Sequence, residues 1–469
     1  MTQPTPPEQT PRKERLEPGG LLEQRQTLLE TCSELLRTGD EATLRLVLNS
    51  HHAADLADLV RRLKEEEGTR ILGLLSPVLA ARTLAAADPA TALVATGAMN
   101  EGMLTAIVSQ MAPDDAADLL AELPTGLGGR VFGQLEAELA VEIEKLLAHA
   151  EESGGGIMTS RLVAVRDSIT VSDAVHYLRE WAGDEEILSL FVVDDGGRLT
   201  GTLSLRRMLL AEPETLISEL VEPDPISVQV DVDQEEIARI FAEYDLLAVP
   251  VVEEGGELVG QVTVDDIVDV IREEATEDIY EMAAMSSGEI GERSTLAVMR
   301  RRLPWLLLCL AGTLACGAVI DRFEDLLSRI GALILFVPAI MAMGGNSGIQ
   351  TSTVTVRSLS TGDFPQRNLL LVVWRELRTA VGMGLFFGLL VGGVAGMWSE
   401  AGIVAACVGT AMAAAITLSA LLGAVVPLVF RALGIDPAVS SGPLITTLND
   451  ILSLAIYFTI TAAVLQSWQ

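Results

Sequence analysis

The 469-residue sequence is poor in cysteine, histidine and aromatic residues, with four Cys, four His and 4% Phe, Trp and Tyr. Cys32, Cys309, Cys316 and Cys407 have neither zinc-type nor disulfide-framework spacing, and three lie in apolar runs. Reduced packing residues are expected. No nucleophile–base pair, phosphate loop or metal-hydrolase motif occurs, which argues against an enzyme. No basic stretch precedes an apolar run at the N-terminus, where Met1 to Gly20 is rich in Pro, Gln and Glu. A disordered tail over 1–19 and a front half that stays in the cytosol are expected.

Charge is lopsided as well. From Arg300 onward there are ten Arg, no Lys and eight Asp or Glu, a balance of +2, so the first 299 residues hold the remaining 22 basic and 57 acidic residues, a net −35. A surface that negative repels nucleic acid and anionic lipid and attracts multivalent cations. The change of composition near position 300 divides a chain too long for one ordinary domain.

Past that point the run Pro304 to Ile320 is almost purely apolar. Four more stretches, approximately 330–356, 379–398, 402–430 and 441–466, approach the length needed to cross hydrocarbon. Five spans put the termini on opposite sides. Arg300, Arg301, Arg302, Arg357, Arg367, Arg375, Arg378 and Arg431 would face one side, and only Arg322 and Arg329 the other. The richer side is expected to be cytosolic, with the N-terminus inside and the C-terminus outside the plasma (inner) membrane. Gly384, Gly388, Gly392, Gly393 and Gly396 supply the small residues that let membrane helices approach closely.

Two segments interrupt the apolar pattern. In the second span Pro338, Gly344, Gly345, Asn346, Ser347, Gly348, Gln350 and Thr351 predict a broken backbone facing protein or water. In the fifth, Ser440-Ser441-Gly442-Pro443 precedes Thr446, Thr447, Asn449 and Asp450. An ionised carboxylate at membrane depth is a functional-site candidate, and Asp450 has Thr446 and Thr447 on its helical face. Its competing role, pairing with an Arg or capping a helix fragment, finds no deeply placed cation. Asn346 suits pore support and an interhelical hydrogen bond equally well. Carboxylate, amide, hydroxyl and freed carbonyl oxygens select a hard cation such as Mg²⁺, Ca²⁺ or Mn²⁺. The membrane half lacks His, and its cysteines are expected away from both polar clusters. A channel for anions would need cationic groups at this depth.

In front, residues 20–152 read as short amphipathic helices with an internal echo, Ala53 to Leu59 against Ala116 to Leu123, which predicts a helical superhelix. Asp114 and Asp118, four apart on a helix, repel unless a cation bridges them. Ser153-Gly154-Gly155-Gly156 is expected to be a flexible link. Beyond it, Phe191 to Gly201 reappears as Val249 to Gly260, each a strand, a Gly turn and a second strand, preceded by the helix-like runs Val171 to Trp181 and Gln234 to Tyr244. This pattern, opened by Ile157-Met158-Thr159, resembles a tandem pair of CBS domains. In that family Gly-x-x-Thr-x-x-Asp can hold a nucleotide's ribose and phosphate. Gly260, Thr263 and Asp266 match, whereas Gly201, Ser204 and Arg207 lose the aspartate, so the resemblance leaves ATP at most one site. Asp265, Asp266, Asp269, Glu273, Glu274, Glu277 and Asp278 then crowd a helix running toward the membrane.

The whole order resembles the MgtE family of Mg²⁺ transporters. Its marks are Pro338 with Gly344-Gly345-Asn346-Ser347-Gly348-x-Gln350, Asp436-Pro437 with Ser441-Gly442-Pro443-x-x-Thr446-Thr447-x-x-Asp450, and Glu274-Ala275-Thr276-Glu277-Asp278-Ile279-Tyr280. The fold so implied is a multi-domain membrane protein: an α-helical superhelical N-terminal domain (20–152), an α/β tandem CBS pair (153–271), a connecting helix (272–299) and a five-helix transmembrane pore domain (300–469). The resemblance implies a homodimer importing Mg²⁺, with a largely hydrated ion at Asp450 and polar support from Asn346, Thr446 and Thr447. It also implies regulatory Mg²⁺ sites, placed by motif at Asp114, Asp118, Asp233, Glu235, Asp245, Asp266, Glu274, Glu277 and Asp278, that close the pore when internal Mg²⁺ is high.

Overall fold

The computed structural model describes residues 20–181, 187, 190–283, 285, 294–360, 369–399, 402–440 and 442–468. The expected tail at 1–19, the stretch 286–293 of the expected connector, and Arg367 and Ser441 lie outside them. The described chain divides into two compact units, through Val270 and from Ile271 onward.

The first unit opens with ten helices, α1 (Gly20–Thr38) to α10 (Ala137–Leu146). Their starts are written in the sequence. Asp40, Ser76, Asp88 and Asn100 cap the first turns of α2 (Glu41–Asn49), α5 (Pro77–Ala85), α6 (Pro89–Gly97) and α7 (Glu101–Val108) by accepting from the backbone N–H three residues on. Pro77, Pro89 and Pro113 occupy first-turn positions, where a missing N–H costs nothing. The echo forms α3 (Ala53–Arg62) and α8 (Pro113–Glu122). From α3 onward each helix packs on the one two places along, as α3 on α5, α5 on α7, α6 on α8 and α8 on α10. The stack is the expected superhelix, buried on Leu44, Leu48, Leu56, Ile71, Leu104 and Ile143.

The two repeats follow. In the first, β1 (Ala164–Arg166), α11 (Val171–Trp181), β2 (Leu190–Val193), β3 (Leu199–Leu203), α12 (Leu205–Leu210) and β4 (Glu222–Pro223) build a four-stranded sheet in the order β1-β2-β3-β4. In the second, β5 (Val228–Gln229), α13 (Gln234–Tyr244), β6 (Ala248–Val252) and β7 (Leu258–Thr263) build a three-stranded sheet, with β5 and β6 parallel. Gly197 and Gly256 both take φ +79° in the hairpin turns, a conformation that side chains disfavour. The two turns hydrogen-bond to each other, Leu199 N–H to Gly256 O at 3.0 Å and Leu258 N–H to Gly197 O at 3.1 Å.

The link between stack and repeats is not flexible. Ser153, Gly154 and Gly155 are buried. Gly154 and Gly155 donate to Val232 O at 2.7 Å and Val230 O at 2.8 Å. A Cβ on Gly154 would stand 2.8 Å from Gln229 O, so glycine is there for close backbone approach. In consequence the stack and the second repeat share one core, in which Met158, Val228, Ile237, Val249, Val262 and Ile267 join the helical leucines. The first repeat keeps a core of its own. Helix α14 (Val264–Met282) begins inside the second repeat, directly after β7.

Among the described residues the second unit contains five helices long and apolar enough to cross a membrane: α15 (Thr295–Arg322), α17 (Val337–Ser360), α18 (Leu369–Ser399), α19 (Gly402–Ala432) and α20 (Pro443–Trp468), with the short α16 (Glu324–Arg329) after the first. The second span is not broken at its glycines. The irregularity lies earlier, in a 3₁₀ stretch Gly331–Phe336. Pro338 falls in the first turn of α17, where it does no harm. Gly344 and Gly348 then serve packing, because a Cβ on either would run into Ser453 or Asn449 of α20. Gly384, Gly388 and Gly392 of α18 face α19 so closely that a Cβ would stand 2.7 Å from Ala413 O, 2.6 Å from Gly409 O and 2.9 Å from Ala405 O.

Gly388→Val should therefore lower the thermal unfolding midpoint of the detergent-solubilised protein by an overpacking cost of about 1–3 kcal/mol. Gly382→Ala, where a Cβ meets nothing within 4 Å, should leave the midpoint unchanged.

Candidate functional site

Asp450 lies two turns into α20, roughly 10 Å along the axis from Pro443 at 1.5 Å per residue. Together with Thr446 and Thr447 it forms one wall of a cleft of about 390 Å³, whose other wall is Cys309 and Thr313 of α15. Gly312 makes this approach attainable, since a Cβ there would overlap the Thr447 side chain. From the third side, a Cβ on Gly345 of α17 would sit 3.9 Å from Asp450 Oδ1. Thr446 Oγ1 is engaged, donating to Gly442 O at 3.1 Å. Among the described residues no Lys or Arg lines the cleft, so nothing in its walls neutralises the carboxylate. An anionic, hydroxyl-flanked cleft of this size accommodates a divalent cation with part of its water shell.

Two expectations change here. Asn346 is exposed and lies outside the cleft lining. Cys309, expected away from the polar groups, lines the cleft beside them. Helix α15 is apolar on nearly every face, so no periodicity in the sequence tells which side its thiol takes.

Glu274, Glu277 and Asp278 fall on one face of α14, at i, i+3 and i+4. Further along that helix Glu281 has its carboxyl pKa raised, first by burial and then by the Asp436 carboxylate, with Glu277 and Asp278 adding to it. Asp436 accepts from Ala438 N–H at 2.7 Å. Ala283, one residue past the end of α14, lines the Asp450 cleft. Nothing in the local pattern marks Glu281, because it sits after the acidic run.

In the first unit, Asp114 and Asp115 open α8 and Asp118 lies one turn on, while Asp266 sits in the first turn of α14. Thr159 Oγ1 donates to Asp114 Oδ1 at 3.2 Å, and Thr263 Oγ1 to Asp266 Oδ2 at 2.7 Å. Burial, reinforced by the neighbouring carboxylates, pushes Asp114, Asp118 and Asp266 up to about 7 and Asp115 up to about 6. The Asp118 side chain is nevertheless exposed to solvent, which screens its share of the repulsion. No described Lys or Arg forms an ion pair with any of the four. Asp115 and Thr159 belong to this cluster although the sequence did not single them out; the Pro113-Asp114-Asp115 helix start was the available signal.

The set is all oxygen and carries an excess of negative charge, which fits a hard divalent cation. Among the described residues no three His, Cys, Asp or Glu side chains converge to cage a bare ion. A Mg²⁺ that keeps several waters would be held through them.

Two expected ligands, Asp233 and Asp245, also have structural roles at the ends of α13. Asp233 caps α13 by accepting from Glu235 N–H at 2.9 Å, and Asp245 ends that helix at φ 52°. The two ends of α13 are roughly 18 Å apart at 1.5 Å per residue, so Asp233 and Asp245 of one chain cannot share an ion.

The order of domains agrees with known families. Residues 51–152 match the MgtE intracellular N domain, 154–214 and 217–273 the CBS domain, and 337–460 the MgtE family model described as a divalent cation transporter. The magnesium transporter MgtE of Thermus thermophilus is 35% identical over 447 residues, covering 94% of this chain and 99% of the relative. That of Bacillus subtilis is 34% identical over 434 residues, covering 92% and 96%. The chain belongs to the MgtE family. Among solved structures, the cytosolic domain of the Mg²⁺ channel MgtE in complex with ATP is 38% identical, with a TM-score of 0.50, covering 52% of this chain and 99% of that one. Gly260 is closely packed, a Cβ there lying 2.5 Å from Met158 Sδ and 2.9 Å from Thr159 O. Thr263 is spent on Asp266, and Asp266 stands within the electrostatic reach of Asp114.

A carboxyl group with a higher pKa folded than unfolded binds its proton more tightly when folded. The four-carboxyl contact is thus favoured near the unfolded value of about 4 and loses that advantage as pH rises through about 7. Without divalent ions the thermal midpoint should fall between pH 5 and pH 8, and Asp114→Asn should flatten the slope (the pH values follow from about 4 and about 7). Differential scanning fluorimetry across that range checks both.

Proposed function

We propose that this chain carries Mg²⁺ inward across the plasma membrane as a homodimer, with a largely hydrated ion passing at Asp450 and Thr446 and Thr447 supplying hydroxyl contacts. The observation that carries this reading is the uncompensated Asp450 carboxylate on a cleft between α15 and α20. The MgtE relatives named magnesium transporters support it. A second copy of the chain would bring a second Asp450, and Asn346, exposed on a single chain, would meet the path or the partner there. The Arg-rich ends of the spans favour a cytosolic N-terminus and an external C-terminus.

Regulation follows from the acid. Mg²⁺ held among Asp114, Asp118 and Asp266 relieves the repulsion of crowded carboxylates and draws the cytosolic domains together. Further ions at Glu274, Glu277 and Asp278 hold the connecting helix, whose following residue Ala283 already lines the cleft, across the pore entrance. When internal Mg²⁺ falls, repulsion separates the acidic faces and the pore opens. Asp233, Glu235 and Asp245 contribute only if ions bridge α13 to another domain or to the second chain. ATP would take the Gly260, Thr263 and Asp266 site of the second CBS repeat; the ATP complex of the related cytosolic domain supports that placement.

In proteoliposomes, Asp450→Ala should reduce Mg²⁺ influx by at least about a hundredfold, since moving an ion through hydrocarbon without its counter-charge costs several kcal/mol; influx equal to wild type removes the ion site. Neutralising Glu274, Glu277 and Asp278 together should leave influx intact but insensitive to Mg²⁺ on the cytosolic face. Unchanged inhibition by that Mg²⁺ removes the gating role.

A further inference from the structure

Behind the cleft, the seam between α17 and α20 holds a polar group that the ion path does not touch. Asn449 is fully buried at 0% exposure. Neither its Oδ1 nor its Nδ2 has a hydrogen-bond partner among the described residues. Its neighbours on the seam are better served. Ser347 Oγ donates to Ile416 O at 3.2 Å, and the Ser419 and Ser453 hydroxyls meet at 3.5 Å. The Asn449 amide nitrogen instead occupies the space where a Cβ of residue 348 would be, and only glycine at 348 permits the packing. On its other side Gly348 abuts Gly423 of α19, with its carbonyl where a Cβ of residue 423 would be. One turn along α17, Ser352 is buried with its hydroxyl also unpartnered.

A buried amide without a partner loses its hydration and gains nothing in return. The contact with Gly348 leaves no space for a bridging water on that side. The amide regains partners only if α20 moves relative to α17, which admits water or brings Ser352 within reach. A helix moves as a unit, so such a shift also moves Asp450, the next residue, within its cleft.

We propose that Asn449 is a positioning residue for ion passage: its unbonded amide disfavours the close-packed α17–α20 seam, and the shift that relieves it re-aims Asp450. Gly348 lets the seam close, and Asn449 keeps the closed seam from being a deep minimum. The inference rests on the reading of Asp450 as the ion site.

The test is Mg²⁺ influx into proteoliposomes and thermal midpoint in detergent for Asn449→Leu, of similar size and without polar atoms, and for Asn449→Ala, which fits any packing. Asn449→Leu should raise the midpoint. Both variants should lower maximal influx by about tenfold and leave the half-saturating Mg²⁺ concentration unchanged, a split that general loss of folded protein does not explain for a stabilised variant. Wild-type maximal influx in both variants overturns the proposal, as does a lowered midpoint for Asn449→Leu, which shows that the amide is bonded. Asp450→Ala separates the two readings. If it retains influx, the ion-site reading falls and this inference with it; if it abolishes influx while both Asn449 variants transport normally, only this inference falls.

Discussion

Four carboxylates crowded into a half-buried contact set the terms for the cytosolic unit. Loss of solvent first, and neighbouring carboxylates second, raise the pKa values of Asp114, Asp115 and Asp118 on α8 and Asp266 on α14, and Thr159 and Thr263 are the hydroxyls that bond to Asp114 and Asp266. Like charges held this way store repulsion that only protons or cations relieve. The surrounding structure is built to withstand it: the helical stack and the second repeat share one apolar core, and the glycine link between them is pinned by hydrogen bonds to Val230 and Val232. Under the proposed regulation, a change of charge at the carboxylates alters how firmly the two parts of this continuous core hold together. The strongly acidic composition of the first 299 residues ensures that cations gather there.

The membrane unit solves a different problem with different residues. Without a hydrophobic effect to hold apolar helices together, its seams depend on glycines that let backbones touch: Gly384, Gly388 and Gly392 against α19, Gly344 and Gly348 against α20, and Gly312 against Thr447. Such seams leave little slack, so the carboxylate of Asp450 is presented to the cleft by helix packing and not by a loop. The cleft itself combines oxygen donors with a thiol, Cys309. For a hard ion the thiol is a bystander.

Much of this was legible from residues alone. The five spans, the repeated hairpins and the helical stack announce themselves by period and by turn chemistry, and α11 and α13 begin and end where their apolar spacing places them. Asp450 stood out because a carboxylate at that depth has few uses. What the sequence hid was the reason for its glycines. Ser153 to Gly156 reads as a flexible link and Gly344 to Gly348 as a broken helix; both are places where another backbone or side chain comes too close for a Cβ. Local propensity cannot distinguish freedom from crowding, since glycine serves both. Likewise the family resemblance offers Asp233 and Asp245 as ligands, while the fold also uses Asp233 to cap the start of α13 and Asp245 to end that helix in a left-handed turn. Only the fold tells which acids meet others and which meet the backbone.

The account stands on the carboxylate contact being closed by divalent cations. Hydrogen exchange of the full-length protein in detergent, with and without Mg²⁺ at constant ionic strength, reads this at Pro113–Glu122 and at the start of α14. The account predicts that Mg²⁺ slows exchange in both segments and that monovalent salt at the same ionic strength does not. Exchange independent of Mg²⁺, or slowed equally by the monovalent salt, would contradict it.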